Sequence, residues 1–156
     1  IDTEQKITQA GIDASATRIL PQGTTIISAR GTVGKLALVG VPMAMNQSCY
    51  GLQGIEAGPY FTYFATRELV SVLRQHSHGS VFDTITRNTL AGVPTVVPVK
   101  SVLDPFERLV APVMERIRHN LQQSRTLAAL RDALLPKLIS AEIRVKDAEC
   151  LTEVIL

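Results

Sequence analysis

Asp104-Pro105-Phe106-Glu107-Arg108-Leu109-Val110-Ala111-Pro112-Val113-Met114-Glu115-Arg116-Ile117 is the stretch at which the chain changes character. Before it, Gly and Pro recur and apolar runs are short. After it no Gly occurs, and Leu, Arg, Ala and Glu dominate. Asp104 is a residue type that accepts hydrogen bonds from first-turn amides, Pro105 suits a first helical position, and Glu107 stands three residues past the cap. Apolar residues follow at Phe106, Leu109, Val110, Val113, Ile117 and Leu121, then at Leu127, Leu130, Leu134 and Leu138. Spacings of three and four put them on one helical stripe. Pro112 is expected to kink or restart the helix, and Pro136 to bend or end it. The 23 residues between these prolines reach about 35 Å as a helix. A stripe of that length has to be covered, either by the helix folding back on its own domain or by a second long helix. Ser124 interrupts the stripe and Asn120 lies beside it, and a polar residue at such a place can fix register at some cost in stability.

Upstream, the pattern is of short strands. Thr24-Thr25-Ile26-Ile27-Ser28 reads as a strand after the Pro21–Gly23 turn, and Lys35-Leu36-Ala37-Leu38-Val39 as another, with Ala29 to Gly34 as a tight loop between them. Residues 48–53, 80–85 and 95–99 read as further strands. Gly58-Pro59 opens a helix to about Gln75, with Phe61, Ala65, Leu69 and Leu73 repeating every four residues. The expected fold is therefore a mixed α/β domain of short strands over 1–104, followed by a long C-terminal coiled-coil helix and tail over 105–156.

Composition bounds the function. Over 156 residues, 46% are hydrophobic and 19% charged, enough to build a core. No run approaches the roughly 18 apolar residues of a membrane span, so no membrane partner is expected. Aromatics are 4% and Trp is absent, which argues against a surface made of stacked bases or of aromatic sugar sites. The net charge of +2 divides evenly, 8 basic against 7 acidic residues in 1–104 and the same in 105–156, so neither half is a basic tail. Cys49 and Cys150 form neither a disulfide framework nor a zinc ligand set. The sequence begins without a secretory pattern, and a cytoplasmic location is the default expectation.

The candidate chemistry is sparse. Gly31-Thr32-Val33-Gly34-Lys35 suggests a phosphate loop, but that motif needs Gly at the position of Ala29 and Ser or Thr at that of Leu36. A tight turn carrying Arg30 and Lys35 is the better reading, and such a turn can offer amides and positive charge to a nucleic-acid phosphate. Cys49 with His76 or His78 would make a thiol nucleophile and base only if the fold joined them, and Cys49 reads more simply as a small strand residue. The two histidines lack further ligands at zinc spacing, and His119 is read as a solvent-facing helix residue. No catalytic residue, metal site or cofactor site is expected. Asn46-Gln47 can present amides to adenine edges, or Asn46 can bond its own backbone in a turn. Gly79-Ser80-Val81-Phe82-Asp83-Thr84-Ile85-Thr86-Arg87 offers Ser80, Thr84 and Arg87 as polar contacts, or as the solvated residues of an edge strand.

Several stretches taken together resemble the specificity subunit of type I restriction–modification systems. They are Leu20-Pro21-Gln22-Gly23-Thr24, Ser28 to Lys35, Ala44-Met45-Asn46-Gln47, Gly79-Ser80-Val81-Phe82, and Leu127 to Ile143. Within the last, Leu130-Arg131-Asp132-Ala133-Leu134-Leu135-Pro136-Lys137-Leu138-Ile139-Ser140 is the most telling. The resemblance implies that 1–104 is most of one DNA target-recognition domain, shortened at its start, and that 105–143 is its spacer helix. Two such helices pair antiparallel in the family and set the distance between the halves of a split target. It further implies double-stranded DNA, a methyltransferase subunit and a restriction subunit as partners, with catalysis left to those subunits. On this basis Arg30, Lys35 and Arg87 are expected to meet phosphates, and Asn46, Gln47, Ser80 and Thr84 to lie near bases. Val113, Ile117, Leu121, Leu127, Leu130 and Leu134 are expected to pair the helix, possible self-association included. Ala141 departs from the family, which commonly has Gly there. The competing reading is a helical protein–protein interaction module without DNA binding.

Overall fold

The computed structural model describes residues 1–76 and 84–148. In chain order its elements are α1 (Gln9–Asp13), β1 (Ile19–Leu20), β2 (Thr25–Ser28), β3 (Leu36–Leu38), β4 (Met43–Ala44), β5 (Cys49–Leu52), α2 (Pro59–His76), α3 (Arg87–Ala91) and α4 (Lys100–Ile139). All the strand pairs are antiparallel. β2 is the centre of a three-stranded sheet ordered β3-β2-β5, with Ile27 opposite Leu36 on one side and Tyr50 on the other, while β1 and β4 form a separate two-stranded ribbon. The fold is thus mixed, short strands in small sheets followed by one long helix.

Thr25 and Ile27, two apart on β2, are both fully buried. Ile27 and Ala29 form the core with Val70 of α2 and Ile85, and Leu36, Tyr50, Leu52 and Leu90 close over it. α2 starts where Pro59 predicts, but its deepest stripe is Thr66, Val70 and Leu73, rotated from the expected Phe61-Ala65-Leu69-Leu73 line. Threonine is tolerated inside because its hydroxyl bonds back along the helix: Thr66 Oγ1 donates to the Thr62 carbonyl at 2.7 Å, which removes the penalty of a buried polar group.

Three expectations are corrected. Residues 95–99 form no strand. Pro94 and Pro98 have no N–H to give a ladder, and Val96 and Val97 are exposed. α4 begins at Lys100 rather than around Asp104 and Pro105. Leu103, the most buried residue of that turn, and the aromatic contacts of Phe106 with Phe61 and Phe64 draw an extra turn into the helix. The helical backbone also continues through Pro112 and past Pro136, each of which forfeits one intrahelical bond without ending the helix. The expected strand 80–85 lies mostly outside the described residues. Its last two positions run beside β2, Thr84 bridging Arg30 and the Ile85 N–H donating to the Ala29 carbonyl at 2.9 Å.

The chain divides into two compact units, Ile1–Met114 and Glu115–Leu156. The first holds both sheets, α1 to α3 and the opening turns of α4. In the second, α4 ends in a Schellman motif. The Glu142 N–H donates to the Lys137 carbonyl at 2.9 Å and the Ala141 N–H to that of Leu138 at 3.2 Å, with Ala141 at φ 58.

Candidate nucleic-acid interface

The β2–β3 loop is tied by one hydroxyl. Ser28 Oγ donates to the Thr32 carbonyl and accepts the Lys35 N–H at 2.9 Å. The Gly34 N–H donates to the Ser28 carbonyl at 2.9 Å. Gly31 and Gly34 sit at φ 73 and 78, a left-handed geometry that an L side chain adopts only at a cost. Two glycines and a serine thus hold a six-residue loop, 29–34, in one shape, and Arg30 and Lys35 are exposed on it.

Two further segments meet this loop. The turn before β5 carries Asn46 and Gln47, both exposed, and is joined to β2 by the Ala29 N–H donating to the Ser48 carbonyl at 2.7 Å. Thr84 bridges Arg30 directly. It leads into α3, whose Thr86 and Thr89 form a reciprocal cap and leave Arg87 exposed at the first helical position. Six of the seven sequence-derived candidates (Arg30, Lys35, Asn46, Gln47, Thr84 and Arg87) therefore come from three segments at one end of the β3-β2-β5 sheet. The seventh, Ser80, lies outside the described residues. Asn46 Oδ1 accepts the Ser48 N–H at 3.0 Å, so its carbonyl oxygen is engaged in the turn and its amide NH2 is the group left to present.

Arg30, Lys35 and Arg87 stand exposed at this end and form no ion pair among the described residues, while Asp2 and Glu4 line a groove shared with Asn46 and Cys49. The chain contains no Asp or Glu from residue 14 to 55, nor from 84 to 103. Arg18 is a further cation on the stretch from 14 to 55 that holds no Asp or Glu.

Burial pushes the Cys49 thiol above its ordinary value, the direction that weakens a nucleophile. Among the described residues no group of three or more His, Cys, Asp or Glu is placed to share a metal ion, and no helix is long and apolar enough to cross a membrane. The grooves on either side of residues 94–98, of about 450 and 500 Å³, are walled chiefly by apolar residues such as Phe61, Ala65 and Leu69.

On α4, Val113, Ile117, Leu121 and Leu127 are 47–59% exposed, and Leu130 and Leu134 are half-buried. The stripe that the sequence required to be covered is open over most of its length.

The comparisons agree with the resemblance. No family model matches the chain. Relatives that match include the type I restriction enzyme MjaIX specificity subunit of Methanocaldococcus jannaschii, 32% identical over 88 residues, and the type I restriction enzyme HindI specificity subunit of Haemophilus influenzae, 22% identical over 145 residues. The chain is specificity-subunit-like. The matched regions cover 56% and 90% of this chain but only 20% and 32% of the two relatives, so the specificity-subunit-like chain spans a third or less of their length.

Proposed function

We propose that the specificity-subunit-like chain is a non-catalytic reader of duplex DNA. In this reading the sheet end meets one half of a bipartite target, and α4 sets the distance to the other half. The observation that carries it is the convergence of Arg30, Lys35, Asn46, Gln47, Thr84 and Arg87 at one sheet end. The cations meet phosphates and fix register, and the amides and Thr84 lie toward the bases. A methyltransferase subunit and a restriction subunit supply the chemistry, as the relatives' description as restriction-enzyme subunits suggests.

The spacing of α4 supports a second copy as the helix partner. Positions 110, 113, 117, 120, 124, 127, 131 and 134 alternate steps of three and four, and the series reads the same from either end. An antiparallel copy then sets Val110 against Leu134, Val113 against Arg131, Ile117 against Leu127, and Asn120 against Ser124. Asn120 and Ser124 meet at the centre, where a polar pair specifies register.

The test is binding to duplex DNA by the chain assembled with a methyltransferase subunit, measured across salt concentrations. Each of Arg30→Ala, Lys35→Ala and Arg87→Ala lowers the slope of log K against log salt by about 0.9 if that cation neutralises one phosphate. Unchanged affinity and slope in all three variants sinks the interface. An assembled complex with no affinity for duplex DNA leaves the helical interaction module as the surviving reading.

A further inference from the structure

α2 begins at Gly58-Pro59, and neither residue can cap it. Gly58 has no side chain, and Pro59 has no N–H. The first free donors of the helix are the N–H groups of Tyr60 and Phe61, and the carboxylate that takes them is Glu107, 46 and 47 residues further along the chain. Phe61 donates to Oε1 at 2.7 Å and Tyr60 to Oε2 at 3.4 Å. The sequence suggested that Glu107 caps its own helix, but the fold gives it to another, where a carboxylate also suits the positive end of the helix dipole. The seat is shaped for it. A Cβ on Gly58 would overlap the Glu107 carboxyl group, so any other residue there obliges the Glu107 side chain to shift. Next to it, Phe106 meets Phe61 and Phe64 edge-on, both at 6.2 Å between ring centres.

A cap and a ring contact on adjacent residues fix more than attachment. Sliding α4 by one residue turns its side chains through about 100°, which would lose both contacts together. We infer that Glu107, seated in the notch left by Gly58, is a positioning residue that sets the crossing of α2 and the opening turns of α4. Under the function proposed above, on which this consequence rests, that crossing carries the length of α4 into the separation of the half-sites.

The experiment uses the full chain with spin labels at Ser71 on α2 and Arg108 on α4, both exposed, and reads their distance distribution. The parent gives one narrow peak. Glu107→Ala and Gly58→Ala both lose it. Glu107→Gln, whose amide oxygen still accepts, restores it, and Gly58→Ala adds no further broadening on a Glu107→Ala background. Exchange of the Phe61 amide quickens about fivefold in Glu107→Ala, the equivalent of one helix cap. A narrow peak retained in Glu107→Ala, or further broadening in the double variant, overturns the inference. In the assembled complex, Glu107→Ala also loses preference between duplexes whose half-site gap differs by one base pair. If the parent complex binds no duplex DNA, the DNA reading fails on its own, and the distance measurement still decides the role of Glu107.

Discussion

α4 is one continuous helix, yet its two parts live differently. From Lys100 to Met114 three residues are committed to their own unit: Leu103 is 4% exposed, Phe106 meets Phe61 and Phe64, and Glu107 caps α2, while Leu109 stays 76% exposed. From Glu115 to Ile139 the same apolar periodicity continues with Ile117, Leu121 and Leu127 about half exposed and Ile139 at 77%. The polar contacts described there are local, as between Arg118 and Glu115 or Arg131 and Asp132. Such exposed pairs contribute little. Periodicity tells that a helix has a stripe to bury. It does not tell what buries it: here Leu103 and Phe106 find cover within their own unit, while Ile117, Leu121 and Leu127 stay about half exposed.

The sharpest way to break the contrast is to truncate one leucine in each part. Leu103→Ala costs about 3 kcal/mol, the usual loss for a buried leucine, read by denaturant unfolding of the isolated chain. Leu127→Ala stays within about 0.5 kcal/mol in that measurement, as surface changes do, and instead weakens self-association in sedimentation. Equal losses from both variants in a monomeric chain would show that the far part is covered from within.

A smaller effect probes the end of the helix. Ala141 occupies a left-handed position that glycine adopts without strain, so Ala141→Gly stabilises the chain by about 0.5–1 kcal/mol, measured by thermal unfolding. A loss of stability would mean that the Schellman turn does not set the cost there.

The smallest effect concerns the sheet. Burial raises the Cys49 thiol, so the folded chain holds that proton to higher pH than the unfolded chain does. The sign follows directly. Stability is full below the ordinary thiol value and declines as pH rises from that value toward the folded one. Cys49→Ser removes this decline, and stability curves of equal slope for the two proteins would refute it.

Much of the fold was legible because it is written locally. The loop between Ser28 and Lys35 announces itself through Gly31 and Gly34, and α2 through Pro59. Three of the five expected strands lie where alternation and turn residues put them. Residues 95–99 misled because an apolar run of valines looks like a strand until the prolines around it are counted as missing donors. Thr66 was missed as a core residue because its hydroxyl is satisfied by a carbonyl one helical turn away, which no hydropathy pattern records. The candidate interface was legible residue by residue, but nothing in the spacing said that Arg30, Gln47, Thr84 and Arg87 share one sheet end.

The sequence by itself determined β2, β3, β5 and α2, the long apolar stripe and the resemblance to specificity subunits, because all of these depend on residues close together in the chain. Only the tertiary structure decided which donors Glu107 takes, where α4 begins, and which polar residues meet at the sheet end. Those outcomes join positions tens of residues apart. Their free energy comes from groups that become neighbours only after the chain has folded.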